Sequence, residues 1–164
     1  MAEYWDLYDA DRHKTKLIHN RTEPIPSGFY HLVVSVWIRN SDGKYLLSQR
    51  HPDKEHPLLW ECTGGSALAG ENSLQAAIRE VKEELGISLC EKMGQLIYQV
   101  RRNQTQDFYD VWLFELNSEW HLSDCVLQKT EVINVKWASK EQIADLFHSG
   151  CLHPLLYYFE NIIP

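Results

Sequence analysis

The stretch that most constrains this chain runs from Asn72 to Gly86, because its spacing predicts an amphipathic helix with a defined start and stop. Leu74, Ala77, Ile78, Val81 and Leu85 recur at helical intervals. Asn72, with Gln75 three residues on, predicts a capping box, and Gly86 predicts a C-terminal cap. At 100° per residue with Glu80 at zero, Glu83 falls at roughly −60° and Glu84 at roughly +40°, while the apolar stripe lies between about 60° and 140°. Three carboxylates therefore share one stripe beside the face that packs on the core. Left alone they repel, by a few tenths of a kcal/mol per like-charged pair. A divalent cation reverses that sign, and Mg²⁺ favours carboxylate and phosphate oxygens.

The charge balance frames this grouping. The chain has 164 residues, Lys+Arg 16 against Asp+Glu 23, and a net charge of −7. Its length predicts one domain over 1–164, with 1–29 as an N-terminal extension. The acidic surplus argues against duplex nucleic acid, which requires a basic face, and against a polybasic membrane anchor. No apolar run approaches the ~18 residues of a membrane span. The opening Met1-Ala2-Glu3-Tyr4-Trp5-Asp6 has no signal-peptide character. Cys62, Cys90, Cys125 and Cys151 form no CxxC pair. Reduced thiols in a cytoplasmic protein are the expectation.

The remaining pattern predicts a mixed sheet with helices on its faces, an α/β fold. Two short strands flank an Asp-rich turn near residues 9–11, as an N-terminal β-hairpin. His31–Arg39 and Tyr45–Leu47 read as a hairpin with a type I′-like Asp42-Gly43 turn. Trp60–Thr63 reads as a strand end. Further strands are expected at 95–101, 108–116 and 133–137, and helices at 140–148 and 153–161.

An arbitrary helix with three glutamates is most often a solvated face. Here the wider pattern decides otherwise. Gly65, Glu71, Arg79, Glu80, Glu83, Glu84 and Gly86, with apolar Val81 and Ile87, stand at fixed intervals. At roughly 6% per residue type, seven such identities arise by chance in on the order of one window per billion. The pattern over 65–87 is the Nudix box, so the chain resembles the Nudix hydrolase family.

The resemblance implies an α/β/α sandwich and a Mg²⁺- or Mn²⁺-dependent hydrolase acting on a nucleoside diphosphate linked to another moiety. It implies Glu80, Glu83 and Glu84 as metal ligands beside the Gly65 carbonyl. One glutamate, or an acid outside the box, would activate the attacking water. Arg79 would hold the glutamates through its planar fork, and Glu71 would hold the loop. Family members often recruit an acid ahead of a later Trp-bearing strand; Glu131, before Trp137, fits, with Asp107, Asp110 and Asp124 as weaker candidates. Arg50, Arg101 and Arg102 are candidates for substrate phosphates, and Tyr30, Trp37, Tyr109 and Trp112 for stacking a base. For these aromatics core packing is the stronger expectation. The partner implied is a small diphosphate, and the resemblance admits a homodimer.

Residues 4–60 are also similar to the isopentenyl-diphosphate-isomerase-like branch of Nudix proteins. That raises proton-transfer isomerisation of a C5 diphosphate as a rival. Type I isomerases resemble Trp-Thr-Asn-x-x-Cys-x-His where this chain has Trp60 to Ala67, which puts Gly65 at the cysteine position and Ala67 at the metal-binding histidine position. Cys62 is expected as a buried core thiol. A non-catalytic nucleotide-binding module is a third reading, against which stands the full set of box carboxylates.

Overall fold

A computed structural model describes residues 2–117 and 119–164. Strand β3 (His31–Arg39) is the spine, and its period-two alternation builds two cores. Leu32, Val34, Val36 and Ile38 face Ala76, Ala77, Val81 and Leu85 of helix α1 (Ser73–Leu85). Trp37 faces the opposite way, among Tyr45 and Leu47 of β4 (Tyr45–Arg50), Ile143 of α2 (Lys140–His148) and Phe159 of α3 (Phe159–Ile162). The result is helix, sheet, helix, with the sheet buried on both faces.

The remaining strands are β1 (Tyr4–Tyr8), β2 (Lys14–Asn20), β5 (Trp60–Glu61), β6 (Thr63–Ser66), β7 (Gln95–Arg102), β8 (Asp107–Glu115) and β9 (Val132–Ala138). The large sheet has the order β5-β4-β3-β8-β7, with β6 also on β3 and β9 also on β4. It is mixed: β3 and β8 run parallel from His31↔Asp107 to Arg39↔Glu115, whereas β4 and β9 are antiparallel. β1 and β2 form the separate N-terminal hairpin. The hairpin docks on the loop ahead of α1, where the Ala69 amide donates to the Tyr4 carbonyl (2.7 Å) and the Gly70 amide to Asp6 Oδ2 (2.7 Å).

Helix α1 begins and ends as its sequence predicts. Gln75 donates its amide to Asn72 Oδ1, and Asn72 donates its own to Gln75 Oε1, both at 2.9 Å. Gly86 adopts φ 73°, and a methyl group there would lie 2.8 Å from Val126 Cβ.

Two expectations are corrected. The turn after β3 is not type I′, which needs positive φ at both central residues; Gly43 alone is positive, and Asn40 organises the turn by accepting amides from Asp42 and Lys44. β3 and β4 pair only at Arg39↔Tyr45, because each finds better-buried partners in other strands. The helix expected over 153–161 is instead a 3-10 turn, Pro154–Leu156, followed by the short α3. Leu156, Tyr158, Phe159 and Ile163 are all buried, a spacing that no continuous helix can point one way. Tyr158 is drawn inward to accept from Trp37 Nε1 (3.2 Å) and to bond the Tyr109 hydroxyl (3.1 Å).

Candidate active site

With Ala77, Val81 and Leu85 seated on the sheet, α1 turns Glu80 and Glu84 toward the end of β6. A Cβ at Gly65 would collide with the Glu80 carboxylate, so glycine is what lets the helix acid approach the strand this closely. Glu84 is 6% exposed, and among the described residues nothing donates a hydrogen bond to its carboxylate. Burial, reinforced by the charge of Glu80, pushes the Glu84 carboxyl up to about 8. Burial likewise pushes Glu80 up to about 7, with Arg79 opposing. Glu83 stands at the rim, its side chain 52% exposed.

Arg79 ties the acids together. Its Nε and Nη2 grip the two oxygens of Glu71 (2.7 and 3.0 Å), and Nη1 donates to Glu80 (2.9 Å) and Glu83 (3.1 Å). Nη2 also reaches the Ser66 carbonyl (3.0 Å). Glu71 completes the clamp by accepting the Leu68 amide at 2.8 Å, so it braces the loop. This bidentate geometry is what guanidinium and carboxylate are shaped for.

Gly65, Glu80, Glu83, Glu84 and Glu131 line one cleft of about 150 Å³. Glu131 enters from the loop before β9 and forms an ion pair with Lys54. Three further charged groups line it that sequence reasoning passed over: Lys54, and the Glu3–Arg21 ion pair at the base of the N-terminal hairpin. No local signal marks them, since each reaches the cleft through long-range docking. The donors fit a hard divalent cation: carboxylate oxygens, partly desolvated, gathered beside the Gly64–Gly65 backbone.

The other candidates lie elsewhere. Arg50 and Arg102 line a neighbouring cavity, paired with Glu61 (2.8 Å) and Asp107 (2.7 Å). The structure does not bring Arg101 or Tyr30 to the cleft. Arg101 donates to the Ala10 carbonyl (2.6 Å) and lies over Tyr30, whose hydroxyl bonds Asn103 (3.0 Å). Asp110 is held by Arg12 (2.8 Å), and Asp124 accepts the His121 amide (2.8 Å). Trp37 and Tyr109 are buried core residues, and Trp112 packs partly buried against the α1-side core, donating from its indole to Ser73 Oγ (2.7 Å). Cys62 is buried, its thiol pushed up to about 12 by desolvation, which leaves it protonated and inert near neutrality.

A sandwiched mixed sheet with an acidic helix at a glycine-lined cleft defines a class of cation-assisted hydrolases. The NUDIX domain model matches residues 29–156, and the chain belongs to the Nudix hydrolase family, pyrophosphohydrolases that act on acid anhydrides and typically use divalent metals. A Nudix hydrolase of Listeria innocua, lin0387, is 41% identical over 163 residues, spanning 97% of this chain and 92% of the relative. DR0079 of Deinococcus radiodurans has the same fold, with a TM-score of 0.78 at 22% identity over 99% of this chain and 100% of that one. An isopentenyl-diphosphate Δ-isomerase of Serratia proteamaculans matches only in part, 36% identical over 91 residues, 54% of this chain and 50% of the isomerase. Among the described residues no helix is long and apolar enough to cross a membrane.

Proposed function

We propose that this chain cleaves the phosphoanhydride of a nucleoside diphosphate linked to another moiety, with Mg²⁺ or Mn²⁺ held by Glu80, Glu83, Glu84 and the Gly65 carbonyl. The observation that carries the reading is the desolvated Glu80–Glu84 pair against Gly65, two carboxyls whose raised values are relieved by a bound cation. When bound, the metal neutralises diphosphate oxygens and makes water a better nucleophile.

The chain's own groups supply the rest. Arg79 fixes Glu80 and Glu83 in one orientation, so the ligand set is formed before substrate arrives. The attacking water must lose a proton to a group that can pass it to solvent. Glu83 and Glu131, with side chains 52% and 36% exposed, suit that role better than the buried Glu84. Lys54 and Arg21, each engaged by a carboxylate at the cleft rim, are placed to meet phosphate oxygens.

The hairpin and the partial likeness to an isomerase keep the isopentenyl-diphosphate-isomerase-like reading as the rival, and a non-catalytic nucleotide-binding module as the third. Against the isomerase stand Gly65 and Ala67 at the positions of its cysteine and histidine, and the inert Cys62. Phosphate release from a nucleotide panel with Mg²⁺, run beside isopentenyl diphosphate, separates them. Cleavage of a nucleotide anhydride is expected. Conversion of isopentenyl diphosphate to its allylic isomer without anhydride cleavage overturns the reading, and tight nucleotide binding with no turnover favours the module.

A further inference from the structure

The loop that leads from β6 to α1, residues 67–71, belongs to no strand or helix, so its amides need partners from elsewhere. Each has one. Ala67 donates to the Leu32 carbonyl (2.9 Å), Leu68 to Glu71 Oε2 (2.8 Å) and Glu71 to the Leu68 carbonyl (3.0 Å). The N-terminal hairpin meets the others, Ala69 through the Tyr4 carbonyl and Gly70 through Asp6 Oδ2, both at 2.7 Å. Of these partners, Asp6 is the side chain that comes from outside the loop.

Asp6 is also firmly held. Strand alternation sends Trp5 and Leu7 to one face of β1 and Asp6 to the other, toward the loop. Trp5 stacks on His31 with ring centres 4.0 Å apart, and Tyr8 and Tyr30 exchange amide bonds at 2.8 and 2.9 Å. Both contacts tie β1 to the start of β3. Asp6 is itself buried, and the oxygen that takes the Gly70 amide also meets Lys14 Nζ at 2.6 Å. Such donors are what let a buried carboxylate keep its charge.

The link continues into the acidic cleft. Glu71 follows Gly70 directly, and its carboxylate holds Arg79 through Nε and Nη2. The apolar stripe of α1 seats the helix backbone, but the long Arg79 side chain has to be ordered at its far end. That end lies between Glu71 and the Ser66 carbonyl on one side and Glu80 and Glu83 on the other. The orientation of two box glutamates thus depends on where the loop holds Glu71.

We propose that Asp6 is a positioning residue of the metal cleft: through Gly70 and Glu71 it sets the Arg79 fork that orients Glu80 and Glu83. The hairpin is then a working part of the site. This assignment rests on the cation reading above and adds to it a residue far from the box in sequence.

Calorimetric Mg²⁺ titration of the intact protein and its variants tests it. Asp6→Ala deletes the acceptor and is expected to weaken Mg²⁺ binding about tenfold, the lower end of what outer partners of a metal site cost. Asp6→Asn keeps an oxygen for the Gly70 amide and should stay within about twofold of the parent. Thr15→Val removes a hydroxyl whose hydrogen bonds, among the described residues, stay within the hairpin, to the Leu7 carbonyl (2.8 Å) and from the Leu17 amide (3.1 Å). It should lower Tm by a few degrees and leave Mg²⁺ affinity unchanged. Unchanged affinity in Asp6→Ala overturns the proposal and leaves the cation reading standing. An equal loss in Asp6→Asn or in Thr15→Val overturns it too, since charge or general loosening would then be the cause. A parent that binds no Mg²⁺ sinks the cation reading and this assignment with it. If Asp6→Ala does not fold, amide exchange in the parent decides. Coupling is reciprocal, so bound Mg²⁺ should slow exchange at Gly70 about tenfold, and an unchanged rate overturns the proposal.

Discussion

Two acidic groupings in this molecule look alike in sequence and behave in opposite ways. In the turn between β1 and β2, ligand atoms of Asp9, Asp11 and His13 lie within 4.8 Å of one another, closer than the box glutamates gather. Yet the Asp9 oxygens at its centre are already engaged. Asp9 Oδ1 accepts the amides of Asp11 (2.9 Å) and His13 (2.8 Å), and Oδ2 faces the His13 ring (3.2 Å). The His13 amide, before any other cause, holds the Asp9 carboxyl below its usual range. Glu80 and Glu84 are pushed the other way, by burial. Proximity of acids is therefore not the criterion on which the proposed cation site rests. Desolvation that the local donors do not offset is: Glu80 stays raised although Arg79 donates to it, Glu84 has no donor among the described residues, and a bound cation would relieve both.

The largest effect that would break this contrast is at the box. Glu84→Gln and Glu83→Gln are each expected to lower Mg²⁺-dependent kcat/KM by at least about a hundredfold, the scale of losing a metal ligand. In Glu84→Gln the metal-free protein should melt no lower than the parent, since a buried like-charged carboxylate has been removed. Full activity in both variants sinks the metal assignment.

The next effect is in pH. A carboxyl whose folded pKa is raised keeps protons that the unfolded chain has released, so the metal-free fold loses stability as pH rises from about 4.5 to about 8. Below 4.5 the contribution is complete; above 8 it is gone. Saturating Mg²⁺ should flatten the slope, and Mg²⁺ affinity should climb across the same window because protons compete for the same oxygens. Thermal melts with and without Mg²⁺ read both. A metal-free Tm that rises across the window contradicts the burial account.

How much of this was legible beforehand follows from range. The ends of α1 were, because Asn72 with Gln75 and the turn to Gly86 are interactions within a few residues. The acidic stripe was too, since a helix places Glu80, Glu83 and Glu84 by geometry alone, and the family likeness marked Glu131. The β3–β8 pairing was not: Val34 meets Asp110 across the chain, and no local pattern names that partner. The same holds for Lys54, Arg21 and Glu3, ordinary charged residues until docking carries them to the cleft. Arg101 and Arg102 were equal candidates in sequence. Strand alternation sends one to the Ala10 carbonyl and the other to Asp107, and that parity became visible only with the register.

A smaller effect is expected at Cys62. It lies in the core next to the cavity, so Cys62→Ala removes packing and should lower Tm by a few degrees, a loss of about 1 kcal/mol. A thiol held near 12 takes no part in proton transfer near neutrality, so kcat/KM should stay within about twofold. Complete loss of activity in a folded variant would revive the isomerase-like reading.

The smallest effect should come from the outer acidic turn, and it sharpens the comparison most. Asp9→Asn keeps an oxygen that can accept the Asp11 and His13 amides while deleting the charge. Were the turn a cation site, that change would weaken Mg²⁺ binding as Glu84→Gln does. Because its oxygens serve the hairpin instead, Mg²⁺ affinity and Mg²⁺-dependent turnover are both expected to match the parent, with Tm shifted by no more than a degree or two. Calorimetric Mg²⁺ titration of the two variants side by side makes the measurement. Loss of a binding event in Asp9→Asn would show that close packing of acids suffices after all, and that burial is not what separates the two groupings.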